Sequence, residues 1–306
     1  MTRLRTAAAA LLAAGLLTGC GEITNTLTPP PGTATPFTVA LAGPPNFTQA
    51  GIYEARVRGD FAQTDLHVRL LMVADPLKAI EDGRAEIAVA SEPAVLLTRN
   101  RHIAVAAVAA LLQGPEQLSV RCGAAAHPAA NRTRTGPRRT GTHTATATVT
   151  TTALTTAPRA HPPLRPLRCR AVSDAHPDPA YRQAPTYNRL NLVVTENEIV
   201  NHAPVLRRFV QALARGYEAV RADPAAAAAA LVDADPTLNV TAQLTGIRAS
   251  LADFFPTAAT TTRPWGFQTV ADWNAFGSWM LDHHLISNIN ATPDAVTNEL
   301  LAGQGV

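Results

Sequence analysis

Two polar side chains stand where predicted strands end, and both have the chemistry to hold a small ligand. Glu92 lies two residues after the predicted strand 86–90 and precedes Pro93. A carboxylate in this position accepts charge-assisted hydrogen bonds from an amine, each worth roughly 1.5–3 kcal/mol. Asn46 follows the rigid pair Pro44-Pro45 and offers both a donor and an acceptor to a planar heterocycle. Structural alternatives stay open: a solvated loop acid for Glu92 and an Asx turn for Asn46.

Other sets of residues that could bind a metal or catalyse a reaction are no more evident in this sequence than chance would produce. His283 and His284 are neighbours, so on a helix their rings diverge and cannot share a metal as an i, i+4 pair does. Cys20, Cys122 and Cys169 are too few and too scattered for a zinc site or a disulfide framework. No Ser-His-Asp set, glycine-rich phosphate loop or pair of carboxylates stands out. We therefore expect no catalysis, cofactor or metal, although Cys122 and Cys169 can pair in an oxidising compartment.

The first residues of the chain have the pattern of an export signal. Arg3 and Arg5 precede an apolar run over residues 7–17 that is too short for a permanent membrane helix. Leu17-Thr18-Gly19-Cys20 resembles the lipobox of bacterial lipoproteins, in which the cysteine is lipidated and becomes the new N-terminus. We therefore expect a signal peptide over residues 1–19, a flexible tether over 20–36 and an extracytoplasmic protein anchored to the membrane through Cys20.

The elements that must position Glu92 and Asn46 alternate between strand and helix. Hydrophobic periodicity predicts four strands and three helices in the first third of the chain. The strands are residues 37–41, 66–70, 86–90 and 103–108, and the helices are residues 49–58, 75–83 and 93–99. A βαβαβ pattern predicts a parallel sheet, with ligands bound outside the carboxyl ends of its strands.

The last third of the chain is predicted to be mainly helical. After a strand at residues 190–195, apolar residues recur at helical spacing from Leu206 to Val220, and Asp223-Pro224 begins the next helix. Thr269 begins a further helix, and Thr292-Pro293 a last short one. The aromatic and sulfur side chains of the Thr269 helix are predicted to be core residues: Trp273, Phe276, Trp279 and Met280.

The middle of the chain, residues 121–183, interrupts this periodicity. Apolar residues make up 46% of the whole chain, which excludes wholesale disorder, but residues 121–170 contain nine arginines, twelve threonines and no acidic or aromatic residue. The basic charge is therefore local, and we do not infer a nucleic-acid partner. Three interpretations stay open: a disordered insertion, a basic RNA- or membrane-binding arm, and a segment translated out of frame in GC-rich DNA.

Several spaced motifs resemble one family. They are Val39-Ala40-Leu41-Ala42-Gly43-Pro44-Pro45-Asn46, Ala90-Ser91-Glu92-Pro93, Ala184-Pro185-Thr186-Tyr187 and the helical stretch 209–217. Together they resemble the SsuA/THI5-like (NMT1) group of substrate-binding proteins of ABC transporters, over residues 37–120 and 184–306. The resemblance implies an α/β, two-lobed periplasmic-binding-protein fold of type II. In it, residues 37–120 begin the first lobe, 184–306 form the C-terminal part, and the second lobe is incomplete or disordered around 121–183.

The same resemblance implies a monomer that captures a thiamine pyrimidine precursor or a sulfonate and delivers it to a membrane permease. Asn46 and Glu92 fall among its expected ligand-binding residues. Gln49 and Ser91 belong to the same set, at positions where pyrimidine-binding relatives carry a histidine and a tyrosine. Tyr53 and Tyr187 are weaker candidates.

Two other interpretations remain. The family includes fungal pyrimidine synthases, but these use a cysteine-rich motif, a histidine and a lysine that holds pyridoxal phosphate. This chain has no cysteine cluster, and its one lysine, Lys78, falls in a short predicted helix. The second alternative is a structural lipoprotein or a non-functional product of a frame-disrupted receptor gene.

Overall fold

A five-stranded sheet forms the centre of the computed structural model, which describes residues 34–114, 117–124, 167–174, 181, 183–256 and 263–304. The sheet has the strand order β2-β1-β3-β7-β4, and β5 pairs with β6 in a separate antiparallel ribbon. The strands are β1 (Thr35–Ala42), β2 (Leu66–Val73), β3 (Ile87–Ala90), β4 (Val105–Gln113), β5 (Gln117–Ala124), β6 (Leu167–Asp174) and β7 (Asn188–Thr195).

The sheet is mixed, so the expectation of a parallel sheet is wrong in one respect. Strand β1 is parallel to both β2 and β3, as predicted. Strand β7 lies between β3 and β4 and is antiparallel to both. A strand from far along the chain has taken the place that β4 would occupy in a simple βαβαβ unit. Local periodicity contains no information on this, because it is decided by long-range pairing.

Seven α-helices are present among the described residues, and three of them begin at the predicted caps. They are α1 (Ala50–Val57), α2 (Pro76–Glu81), α3 (Glu92–Asn100), α4 (Glu196–Ala222), α5 (Pro224–Ala234), α6 (Val240–Phe254) and α7 (Val270–Asp282). Asp75, Asp223 and Thr269 cap α2, α5 and α7 through side-chain oxygens that accept backbone N–H groups. The periodicity analysis missed α6, which is capped by Asn239.

No helix begins at Thr292-Pro293, so that prediction is wrong. A single 3₁₀ turn, Ile289–Ala291, lies just before this pair. Residues beyond the pair bond to the outer edge of β4: Ala107 N–H donates to Ala295, and Thr297 N–H donates to Ala107. Pairing with a strand edge has therefore replaced the helical turn that Thr-Pro favours.

Helices cover both faces of the sheet. On one face, Val39 and Leu41 pack in a core with Phe209 and Tyr217 of α4. On the other face, Ala40 and its neighbours pack with apolar residues of α7. The predicted core residues of α7 are confirmed, because Trp273, Phe276, Trp279 and Met280 are all buried.

The ribbon β5–β6 lies partly inside the segment for which no periodicity was found. Cys122 and Cys169 face each other across it and form a disulfide. Helix α6 packs against both strands of the ribbon. Residues 125–166, and the predicted lipidation site Cys20 with the rest of residues 1–33, lie outside the described residues. None of the helices in the described ranges combines the length and apolarity needed to cross a membrane.

Candidate functional site

A cavity of about 610 Å³ lies beside two of the predicted ligand-binding residues, Glu92 and Tyr187. Glu92 is the first residue of α3 and follows the carboxyl end of β3, while Tyr187 precedes β7. Gln113, at the carboxyl end of β4, also lines the cavity. The cavity therefore opens where ligands bind in α/β sheets, outside the carboxyl ends of parallel strands.

Glu92 has the most unusual environment among the acidic residues that line this cavity. Its side chain is buried, with 1% of the residue exposed. One carboxyl oxygen, Oε2, accepts the backbone N–H of Asn188 at 2.7 Å, whereas Oε1 has no hydrogen-bond partner among the described residues. Burial raises the pKa of the Glu92 carboxyl to about 8; the Asn188 N–H lowers it and the Asp272 carboxylate raises it, both to a smaller extent.

Gln268, which the sequence analysis did not single out, is the second polar group of the cavity. Its Oε1 accepts two hydrogen bonds of 3.1 Å, from Asn188 Nδ2 and from the indole Nε1 of Trp273. Asn298 bonds both the backbone N–H and the backbone carbonyl of Gln268. Gln268 is 3% exposed, and its Nε2 has no partner within the described part of the chain. No sequence signal marks it, since it lies in a loop without periodicity.

Aromatic rings form much of the remaining wall. Tyr187 stacks on Phe276 with ring centroids 4.6 Å apart, and Trp265 stacks on Tyr217 at 4.7 Å. Phe255 and Phe267 also line the cavity, and each lies under an arginine guanidinium, Arg221 and Arg263 respectively. Such walls suit a flat, partly apolar ligand, because rings stack at centroid distances of 4.5–7 Å.

Four predicted site residues do not line this cavity. Ser91 caps α3 by accepting the Ala94 N–H, and Asn46 forms an Asx turn by accepting the Thr48 N–H. Gln49 is buried in the turn before α1, and its Oε1 has no partner within the described residues. Tyr53 lines a different groove, of about 620 Å³, between α1, β2 and α5.

The first residue of the histidine pair, His283, contacts Trp279. The His283 ring packs against Trp279 at a tilt of 32°, with centroids 4.4 Å apart, and its Nδ1 lies 2.9 Å from the Trp279 carbonyl. Within the described ranges, no three His, Cys, Asp or Glu side chains gather in an arrangement that could hold a metal ion.

Comparison with known proteins finds one family model that matches part of the chain, and several solved structures with a similar fold. The model of the family described as NMT1/THI5 like matches residues 46–121 and 177–227. These stretches contain Glu92, Tyr187 and Asn188, but not Gln268. None of the curated proteins matches this chain.

Several solved structures share the fold at low sequence identity. The alkanesulfonate-binding protein SsuA from Xanthomonas axonopodis pv. citri, bound to MOPS, has a TM-score of 0.50 and 10% identity over 86% of this chain and 98% of its own. The ligand-binding component of an ABC-type import system from Staphylococcus aureus, with zinc bound, has a TM-score of 0.50 and 12% identity over 87% and 97%.

A third structure, a Candida albicans gene product described as having the generic periplasmic binding protein fold, has a TM-score of 0.50 and 8% identity over 86% and 96%. The mixed sheet with β7 inserted between β3 and β4, the flanking helices and these likenesses lead to one conclusion: the chain has the α/β fold of the periplasmic binding proteins.

Proposed function

We propose that this protein is the extracytoplasmic solute-binding component of an ABC importer and that it captures a small nitrogenous heterocycle. The observation that carries the proposal is the buried Glu92 carboxyl, whose Oε1 has no partner in the described residues and which lines a cavity at the carboxyl ends of β3 and β4. The family match and the fold of the solved relatives support the same class of function.

The cavity suits a ligand of modest size. Its volume of about 610 Å³ lies inside the range of roughly 300–1,000 Å³ that small-molecule sites occupy. Stacked aromatic side chains would contact the faces of a ring, and Glu92 would accept a hydrogen bond from an amino group on its edge. A thiamine pyrimidine precursor has both features.

The proposal includes the cellular context. Lipidation of Cys20 would hold the protein on the outer side of the membrane, within reach of a permease. Binding would shift the protein towards a closed form that the permease recognises. We expect a monomer, as the resemblance to substrate-binding proteins of ABC transporters implies.

The test is a binding titration of wild-type protein with hydroxymethylpyrimidine, formylaminopyrimidine, thiamine and taurine. We expect a dissociation constant near the micromolar range for an aminopyrimidine, equivalent to about −8 kcal/mol. Above pH 8, where the Glu92 carboxyl is ionised, the Glu92→Gln variant should bind it about 10- to 100-fold more weakly, because a charge-assisted hydrogen bond is lost. Glu81→Gln, on the exposed surface of α2, is the matched control and should bind like wild type.

Each of the other outcomes is informative. If only taurine binds, the ligand class is a sulfonate and the role of Glu92 is wrong. If no compound binds and none raises the melting temperature, the alternative of a non-functional or structural lipoprotein is favoured over a receptor.

A further inference from the structure

Two buried polar atoms of residues that line the cavity lack hydrogen-bond partners, and their bonding capacities are complementary. In its ionised form Glu92 can accept a hydrogen bond at Oε1, and Gln268 Nε2 can donate one; neither atom has a partner within the described residues. Both residues line the cavity and both are almost fully buried. Buried polar groups are nearly always hydrogen-bonded, so these two atoms need water or a ligand.

One residue holds both groups in place. The backbone N–H of Asn188 bonds Glu92 Oε2, and the side-chain amide of the same residue bonds Gln268 Oε1. Because both side chains are anchored on Asn188, we expect the two unpartnered atoms to lie on neighbouring parts of the cavity wall. A small ligand can therefore meet both of them along one edge.

The orientation of the Gln268 amide follows from chemistry. The Trp273 indole Nε1 can only donate, so the amide atom 3.1 Å from it must be oxygen. A flipped amide would place its NH₂ group against the indole N–H and would leave two donors facing each other. Nε2 is therefore the atom left to donate to a ligand.

We propose that Glu92 and Gln268 together select the ligand. Glu92 accepts a hydrogen bond from the ligand's amino group, and Gln268 is the specificity-determining residue that donates a hydrogen bond to an acceptor beside that amino group. The inference rests on the proposed function and refines its ligand class. The preferred ligand carries a donor and an acceptor side by side on one planar edge. A ligand that lacks either group leaves one buried atom unpaired and binds about 10- to 100-fold more weakly.

Three six-membered ring compounds of similar size test the contacts to Glu92 and Gln268 one at a time. They are 4-aminopyrimidine, which carries the donor and the adjacent acceptor, pyrimidine, which carries acceptors only, and aniline, which carries the donor only. We would measure dissociation constants by ligand-observed NMR with the full protein above pH 8, where the Glu92 carboxyl is ionised. Wild type should prefer 4-aminopyrimidine to each of the other two by at least about tenfold.

Gln268→Met removes the donor and keeps the length of the side chain. We expect this variant to lose the preference for 4-aminopyrimidine over aniline while it keeps the preference over pyrimidine, which depends on Glu92. Gln63→Met, at an exposed position, is the matched control and should keep both preferences. If Gln268→Met fails to fold, equal wild-type affinities for 4-aminopyrimidine and aniline still overturn the inference.

Trp265 is the strongest alternative to Gln268 as the residue that donates a hydrogen bond to the ligand's acceptor. Its Nε1 is another buried donor of the cavity wall without a partner among the described residues. If the preference over aniline survives in Gln268→Met, the acceptor is bound elsewhere and the inference is wrong, while the proposed function stands. If neither these rings nor any pyrimidine of the first titration binds, the proposed function and the inference both fail.

Discussion

At the scale of single residues, opposing effects act on the ionisation of the Glu92 carboxyl. Its position at the start of α3 and the hydrogen bond from Asn188 favour the charged form. Burial and the nearby Asp272 carboxylate favour the neutral form, and burial has the largest effect. The result is a carboxyl with a pKa of about 8, which can change its protonation state when a ligand replaces water around it.

This perturbation predicts a pH dependence of stability. Because the folded-state pKa of about 8 lies above the ordinary 4.5, the folded protein holds a proton that the unfolded chain releases between these pH values. The free energy of unfolding should therefore fall as the pH rises from about 4.5 to 8, by at most about 1.4 kcal/mol per pH unit from this group.

Urea unfolding at a series of pH values, on wild type and Glu92→Gln, measures this contribution. The variant cannot ionise at position 92, so its free energy of unfolding relative to wild type should rise across the same interval. Parallel pH profiles for the two proteins would show that Glu92 is charged in the folded state.

Contacts between whole elements depend on small residues where α1 and α4 cross. Gly216 of α4 lies so close to α1 that a Cβ added to it would stand 2.4 Å from the Gly51 carbonyl oxygen and 2.6 Å from Ala55 Cβ. Both obstacles belong to a packed helix and cannot turn away. Helix propensity alone would favour alanine at this position, so packing has overruled it.

We predict that Gly216→Ala destabilises the protein by about 1–3 kcal/mol, because the helices must move apart. Gln211→Ala on the exposed face of α4 is the control and should lie within about 0.5 kcal/mol of wild type. Chemical denaturation followed by tryptophan fluorescence measures both. A Gly216→Ala protein as stable as wild type would mean that α1 and α4 are not packed this closely.

At the scale of the whole molecule, distant stretches of the chain are joined in two ways. Strand β7 inserts between β3 and β4, and the Cys122–Cys169 disulfide links residues 47 positions apart. A cross-link over a loop of this length can stabilise a protein by up to about 4 kcal/mol, by restricting the unfolded chain. From the sequence, this pairing was only one option, open in an oxidising compartment.

We predict that reduction lowers the urea midpoint of the wild-type protein. The double variant Cys122→Ala/Cys169→Ala should start at the lower midpoint and should not respond to reductant. Thiol titration under denaturing conditions checks the bond directly. If Cys122 and Cys169 are both reactive before reductant is added, the two cysteines are unpaired.

The sequence by itself determined the local elements and one half of the candidate site. Period-two strands, the Asp75 and Thr269 caps and the carboxylate at position 92 are encoded within a few residues, so periodicity and capping chemistry identify them. The missed helix α6 and the wrong helix at Thr292 mark the limit of that information, because contacts from elsewhere in the chain decided both regions.

Only the tertiary structure decided that the sheet is mixed and that Glu92 faces the same cavity as Gln268. It also assigned Asn46 and Ser91 to turn and cap roles and placed Tyr53 at a separate groove. The physical reason is that burial, strand pairing and unmet hydrogen bonds depend on residues far apart in the chain, and a single sequence does not specify which of them meet.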